Sequence, residues 1–420
     1  MVAPEADVNS THQTDTAGRS RWQPLVGGGL LNVAIGSYYM WSVYVPAIEK
    51  EFGWTRSQTS LVATIDMGTL ASTFMIAGLL QDRFGARPIA FFGGGLFSLG
   101  LLFTSLVHSL PMLYLTAGLM VGIGLGFGYL APITVGSKWF PDQRGLVNGL
   151  AIGIFAAGSG IFGPIAGRLI EQVGWRGTFQ IFAAVFLVFT MVGAYLLKDP
   201  PVGFQPPVRR VAAGAPKRIP NVDVPTSKVL RLPTFYLLWF AYALGAAAGT
   251  MVISQLVPFA RSSGLSAQTA AFAISVGALG SALGRFLSGW MSDHLGRLPT
   301  LRAVIVISMI ATPLLYVYRE DLLLFYGLLF VVYYCYGTQL SVYTALAGDF
   351  WGAKYLATNV GLLLLAWGFA GIMGPILGSR IYVSTGTYEY AFLGAAVFAC
   401  AALVNLCIVR APVHPPGPRA

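Results

Sequence analysis

The sequence predicts an all-α polytopic membrane protein, with twelve transmembrane helices arranged as two six-helix bundles related by a pseudo-two-fold axis. Composition is the first reason. The chain is 55% hydrophobic and 10% charged, with a mean hydropathy of +0.68, whereas soluble domains carry roughly 25% charged residues. The second is that apolar runs long enough to cross a bilayer recur twelve times. The third is an internal repeat at an offset of 211 residues.

The predicted spans, numbered in chain order, cover residues 24–46, 58–80, 88–107, 111–137, 145–170 and 177–197. Spans 7 to 12 follow at 233–260, 267–291, 299–318, 322–347, 356–379 and 388–409. Each stops where charged or turn-forming residues begin. Residues 1–20 are polar and lack the apolar core of a signal peptide, so they read as a disordered tail, as does the Pro-rich end at 411–420. The bundles are expected at 21–197 and 233–410, joined by a solvated linker at 198–232 that holds seven prolines and seven Lys/Arg.

The repeat aligns two separate motifs in one register. Gly78, Asp82 and Gly85 in GLLQDRFGARP match Gly289, Asp293 and Gly296 in GWMSDHLGRLP. Asn148, Gly163, Pro164 and Gly167 match Asn359, Gly374, Pro375 and Gly378. Six crossings return the chain to its starting side, so the bundles are parallel repeats.

Basic residues set the orientation. With the N-terminus placed in the cytoplasm, 18 of the 26 Lys and Arg flank cytoplasmic ends, 7 lie on the other side, and Arg285 remains. Both termini are thus expected in the cytoplasm. The net charge of +10 follows from this bias and leaves no basic surface for a nucleic acid. Cys335, Cys400 and Cys407 all fall in spans, which excludes a disulfide framework or a CxxC metal site. GIGLGFG at 122–128 lacks the Gly-x-Gly-x-x-Gly register and the preceding strand of a dinucleotide loop; close helix packing accounts for it.

The Gly-x-x-x-Asp-x-x-Gly segments end spans 2 and 8. Gly78 and Gly289 permit close helix approach, and Gly85 and Gly296 permit a tight turn. Asp82 and Asp293 can accept hydrogen bonds from the N-terminal amides of another helix, where the macrodipole favours an anion. Arg83, Arg87 and Arg297 are expected at the cytoplasmic surface. Together they form a candidate latch that holds the bundles in one conformation.

Arg285 lies in an otherwise apolar stretch of span 8, eight positions before Asp293. At ~1.5 Å per residue it sits about 12 Å above the cytoplasmic end, close to mid-bilayer. A guanidinium there costs at least ~2.5–3.5 kcal/mol and marks a functional site. The one acid well inside a span is Asp66, 16 residues before Asp82. The two depths differ by roughly 12 Å, which argues against a resting ion pair.

These motifs, over nearly the whole chain, resemble the major facilitator superfamily. YYMWSVY, GLGFGYLAPI with KWFPDQRGLVNGL, GRFLSGWMSDHLGR and GDFWGAKYLATNVGLLLLAWG are similar to the oxalate/formate antiporter family and its monocarboxylate-transporter relatives within it. The resemblance implies a carrier, not an enzyme, working by alternating access without a cofactor. It also implies a bacterial inner-membrane location and a monomer in the bilayer. Arg285 is implied to bind the substrate carboxylate, and its planar fork suits that bidentate pairing. Tyr39 and Tyr129 match tyrosines lining the family's cavity, and Tyr336 stands where the family often has an aromatic. Asn32, two turns from Tyr39 on one face of span 1, is a further candidate, as are Gln255 and Gln339, which have no motif behind them.

Two departures bear on cargo and coupling. The oxalate carrier has a second cation in span 11, where this chain has Trp367 at or beside that position. A dianion held by one arginine leaves a charge desolvated and unpaired, so a monocarboxylate such as lactate, pyruvate or formate is favoured over oxalate. Trp367 either bounds the pocket or packs against span 7. The animal monocarboxylate transporters carry a span 1 lysine and an aspartate one turn before the span 8 arginine; here Ser281 occupies the latter position. No histidine lies in a span core, which leaves Asp66 as the candidate proton carrier for symport. Anion exchange is the alternative mode. A membrane sensor is a remoter reading, with no appended signalling domain behind it.

Overall fold

The computed structural model describes residues 21–201, 204 and 223–410, and every regular element among them is helical. The expected tails at 1–20 and 411–420, and linker residues 202–203 and 205–222, lie outside the described residues. Ten helices are long and apolar enough to cross a membrane. The difference from twelve has two local causes.

Spans 5 and 6 are one 53-residue run, Arg144–Leu196, that turns at Gly174 (φ 74°, ψ 169°). That backbone geometry suits a residue without Cβ. Span 1 is broken into Trp22–Ile35, a 3₁₀ stretch at Gly36–Met40, and Trp41–Phe52, so neither helix alone is long enough to qualify. The break occurs where span 1 crosses span 5, and a Cβ at Gly36 would collide with the Phe155 backbone.

The other spans are Arg56–Phe84, Ala86–Thr104 and Leu110–Trp139 in the first half. The second half has Pro233–Ser262, Ala267–Leu295, Arg297–Val317, Leu322–Trp351, Leu356–Thr385 and Glu389–Ile408. Span 4 winds as a π-helix over Tyr114–Met120. The end of the molecule carrying Arg21 and Arg410 is termed proximal, and the opposite end distal.

The halves meet along two seams, span 2 with span 11 and span 5 with span 8. Both depend on small residues. A Cβ on Gly78 would lie 2.5 Å from the Ala357 carbonyl oxygen, and the Gly145 and Gly289 backbones touch across the other seam. In a bilayer such backbone approach replaces the hydrophobic effect as the source of helix adhesion. Span 5 also meets the span 8 backbone at Gly149 beside Arg285. Gly160 is three full turns further along the same face, and a Cβ there meets nothing within 4 Å. The span 5–span 8 seam is therefore shut at the proximal end and parted towards the distal end.

The linker is less free than its composition suggests. At its start, Asp199 accepts hydrogen bonds from Lys138 Nζ at 2.8 Å and the Ala86 amide at 3.2 Å. At its end, Asp223 accepts from the Ala353 and Lys354 amides, both at 2.9 Å. These bonds anchor the described linker residues to both halves.

Candidate functional site

Arg285 is 6% exposed. It lines a cavity between the halves. Spans 1, 2, 4 and 5 contribute Tyr39, Leu70, Phe74, Tyr129 and Phe155; spans 10 and 11 contribute Leu340 and Trp367. The guanidinium makes no hydrogen bond or ion pair to any described residue, and its Nε is buried without a partner. A buried cation in this condition is expensive unless an anion joins it.

The aromatic wall is built by interlocking rings. Phe155 packs edge-on against Tyr129 at 4.8 Å and Tyr39 at 5.6 Å, while Phe74 meets Tyr129 at 5.6 Å. Tyr39 is 45% exposed although it lies midway along span 1. Tyr336 stands beside the cavity, and its hydroxyl accepts a hydrogen bond from Trp367 Nε1 at 2.9 Å. Trp367 thus bounds the pocket and also fixes a neighbouring tyrosine.

Three polar candidates are placed elsewhere. Asn32 is wholly buried and donates to the Ala151 carbonyl at 2.9 Å, tying span 1 to span 5. Gln339 is packed against span 7, with its amide oxygen against Gly245. Gln255 contacts Gly378 of span 11. Same-face spacing on one helix does not reveal which neighbour that face meets. The apolar residues Leu70, Phe74, Phe155 and Leu340 were not anticipated. Phe74 had a signal in the repeat, since at the 211-residue offset it is the counterpart of Arg285.

Asp66 is wholly buried, and both carboxyl oxygens lack a hydrogen-bond partner among the described residues. It forms no ion pair with Arg285, in line with their separate depths. Tyr39 lies within electrostatic range of both groups, and Tyr38 within range of Asp66.

At the proximal end each motif aspartate reaches across to a helix N-terminus of the other half. Asp82 accepts from the Ala357 amide at 3.2 Å, the Thr358 amide at 2.8 Å and the Thr358 hydroxyl at 2.6 Å. Asp293 accepts from the Gly145 and Leu146 amides, both at 2.9 Å. Gly85 (φ 86°) and Gly296 (φ 92°) make the turns that follow.

The arginines behave differently from one another. Arg297 bonds Asp293 at 2.6 Å and Asp349 at 2.7 Å, and Asp349 also holds Arg144 of the first half at 2.8 Å. Arg83 is exposed over the Phe84 ring, and Arg87 stacks on Tyr195 at 4.4 Å within its own half. Neither spans the seam, because the first half has no acid corresponding to Asp349; Lys138 stands at that repeat position. Arg144 and Asp349, absent from the expected latch, are the residues that bridge it.

The Major Facilitator Superfamily model matches residues 28–333 and 238–420. The chain belongs to the Major Facilitator Superfamily. It is therefore an integral membrane transport protein and not an enzyme. It is 30% identical over 355 residues to the MFS-type transporter YhjX of Escherichia coli K12, covering 84% of this chain and 86% of that one. It is 28% identical to the oxalate:formate antiporter of Oxalobacter formigenes, over 93% of this chain and 92% of that protein. Monocarboxylate transporter 3 of Rattus norvegicus is 29% identical, over 90% and 78% respectively. The superfamily fold is also evident in the fucose:proton symporter FucP of E. coli, with a TM-score of 0.71 at 15% identity, covering 93% of this chain and 99% of that one.

Proposed function

We propose that this superfamily member carries a small monocarboxylate of the lactate, pyruvate or formate type across a bacterial inner membrane by alternating access, with Arg285 holding the carboxylate and a proton moving with it. One observation supports this above the rest: a buried guanidinium without a partner among the described residues lines a cavity between the two halves. A single negative charge balances it, and the apolar wall of Leu70, Phe74 and Leu340 suits a cargo with a short carbon end. The proximal end is taken as cytoplasmic from the basic-residue bias, so the shut seam corresponds to an outward-facing state. In that state the latch pairs Asp82 with span 11 and Asp293 with span 5.

Asp66 is the group assigned to the proton. Its carboxyl is wholly buried with no cation paired to it and with Tyr38 as its polar neighbour, so ionising it in place carries a large desolvation cost. The alternative reading, exchange of oxalate for formate, rests on the likeness to the Oxalobacter antiporter. The lone cation in the cavity weighs against a dianion.

The test is counterflow in proteoliposomes with labelled lactate, pyruvate, formate and oxalate, on the unaltered chain, Arg285→Lys and Arg285→Ala. Lysine keeps the charge but loses the fork, so a loss of tenfold or more is expected. Undiminished transport by Arg285→Ala removes the assignment. Asp66→Asn is expected to abolish uptake driven by a pH gradient while sparing counterflow.

A further inference from the structure

The second cavity lies wholly inside the first half and does not touch Arg285. Ser37, Tyr38, Trp41 and Tyr44 line it together with Ala63 and Ala117, among largely apolar neighbours. Trp41 Nε1, Tyr44 Oη and both Asp66 oxygens are buried without a hydrogen-bond partner among the described residues. Ala63 is one helical turn distal of Asp66 on span 2. Asp66 is not itself on the lining, but Tyr38 is, and it lies against the Asp66 carboxyl; buried polar atoms left without protein partners call for water.

The backbone is specialised at the same place. The 3₁₀ stretch of span 1 (Gly36–Met40) and the π-helical stretch of span 4 (Tyr114–Met120) both contribute to this cavity. Such departures from α-geometry concentrate at functional sites. The repeat counterparts, spans 7 and 10, are unbroken α-helices over Pro233–Ser262 and Leu322–Trp351. At the 211-residue offset Asp66 corresponds to Gly277 and Gly122 to Tyr333. Asp66 fits against Gly122, whereas the Tyr333 ring closes over Gly277. The acid and its cavity are thus particular to one half and are not dictated by the fold.

We propose that this cavity is the proton's own route between the distal face and Asp66, separate from the carboxylate's path past Arg285. Asp66 lies ten residues into span 2, about 15 Å from its distal end, with Ala63 on the way. A hydronium ion in the cavity gives its proton to an ionised Asp66 oxygen: one hydronium O–H bond breaks, the carboxyl O–H bond forms, and neutral water is left. The charged and titratable groups around Asp66 are Tyr38 and Tyr39 on span 1 and, beyond Tyr39, Arg285 on span 8. Span 4 meets Asp66 with Gly122, and span 11 meets neighbouring Met67 and Ala71 with Gly371 and Gly368. The rings of Tyr38 and Tyr39 are 5.2 Å apart, one beside each cavity. Occupancy at Arg285 is therefore felt at Asp66 through the broken segment of span 1. The inference rests on the symport reading, but its first test needs no substrate.

In a chain with Cys335, Cys400 and Cys407 replaced by alanine, Ala63→Cys is expected to react with the water-soluble cation methanethiosulfonate ethylammonium added from the distal face. Failure of Ala63→Cys to react, while a Ser109→Cys control in the distal loop does, overturns the route. The second test fills the cavity with Ala117→Leu, which should keep lactate, pyruvate or formate counterflow within twofold and cut pH-driven uptake tenfold or more. Unchanged pH-driven uptake also overturns it. Should the unaltered chain exchange none of these acids, the symport reading fails while the labelling result still decides whether the cavity is wet.

Discussion

The Trp367 indole N–H donates to the Tyr336 hydroxyl at 2.9 Å, joining spans 11 and 10 beside Arg285. With its oxygen already engaged as an acceptor, the Tyr336 hydroxyl has its own proton to offer elsewhere. A neutral hydrogen bond of this kind contributes about 0.5–1.5 kcal/mol. Trp367→Phe is therefore expected to raise KM about threefold to tenfold with little change in maximal rate, the affinity scale being tenfold per 1.4 kcal/mol. Tyr336→Phe should do the same, and the double variant should be no worse than either single one. Additive losses in initial-rate transport would show that the pair does not act as a unit.

Asp349 holds two arginines that are almost fully buried, Arg144 at 3% and Arg297 at 9% side-chain exposure. Removing the acid leaves cations without their shared counter-charge, which costs about 3–5 kcal/mol for a buried pair. Asp349→Asn should lower the melting temperature in detergent sharply. Adding Arg144→Gln should restore part of it, because one unpaired charge is removed as well.

Asp82 caps span 11 through two amides and the Thr358 hydroxyl, and span 2 has no cation in that cap. Charge-assisted bonds of this type contribute ~1.5–3 kcal/mol, which is about tenfold or more in a two-state equilibrium. Asp82→Asn should thus shift the chain away from the state with the proximal end shut. In a chain without its native cysteines, labelling of Leu340→Cys in the cavity lining by an impermeant thiol reagent added from the proximal side should rise accordingly. Asp293→Asn should have the smaller effect, since Arg144 and Asp349 still bridge the halves there.

Glu51 lies at the distal end, beyond the span 1 apolar run, and binds Arg176 at 2.9 Å and Trp175 Nε1 at 2.6 Å. Burial pushes its carboxyl up, but the bonds from Arg176 and Trp175 and the charges of Arg176 and His108 outweigh that and hold it below its usual value of 4.5. A depressed acid contributes stability above its unfolded value, and that contribution is lost as pH falls through the folded one. Thermal stability in detergent should fall as the pH is lowered below 4.5, and Glu51→Gln should remove this part of the dependence.

Some of the site was legible because its signals are local. Arg285 is a costly residue wherever its span ends up, and the two motif aspartates are followed by glycines that must turn. Their acceptor role was readable, but not which helix each would cap. Arg144 and Asp349 are 205 positions apart, and each reads alone as an ordinary loop charge. Arg83 and Arg87 looked equivalent to Arg297, yet the first half lacks the acid that would draw them to the seam. Gln255 and Gln339 were chosen for polarity alone and Asn32 for its spacing from Tyr39, and each faces a neighbouring helix.

The sequence by itself determined that the chain crosses a membrane twelve times in two repeated halves, because hydropathy and the 211-residue register are properties of the chain alone. It also led to the expectation of an arginine near mid-membrane. Only the tertiary structure decided that Arg285 has no partner among the described residues, that Trp367 holds Tyr336, and that a second cavity comes within a helical turn of Asp66. Partnership between helices depends on how each face is rotated and which seam is closed. In a bilayer that choice is made by close packing of small residues, a signal that apolar sequences of this kind share almost everywhere.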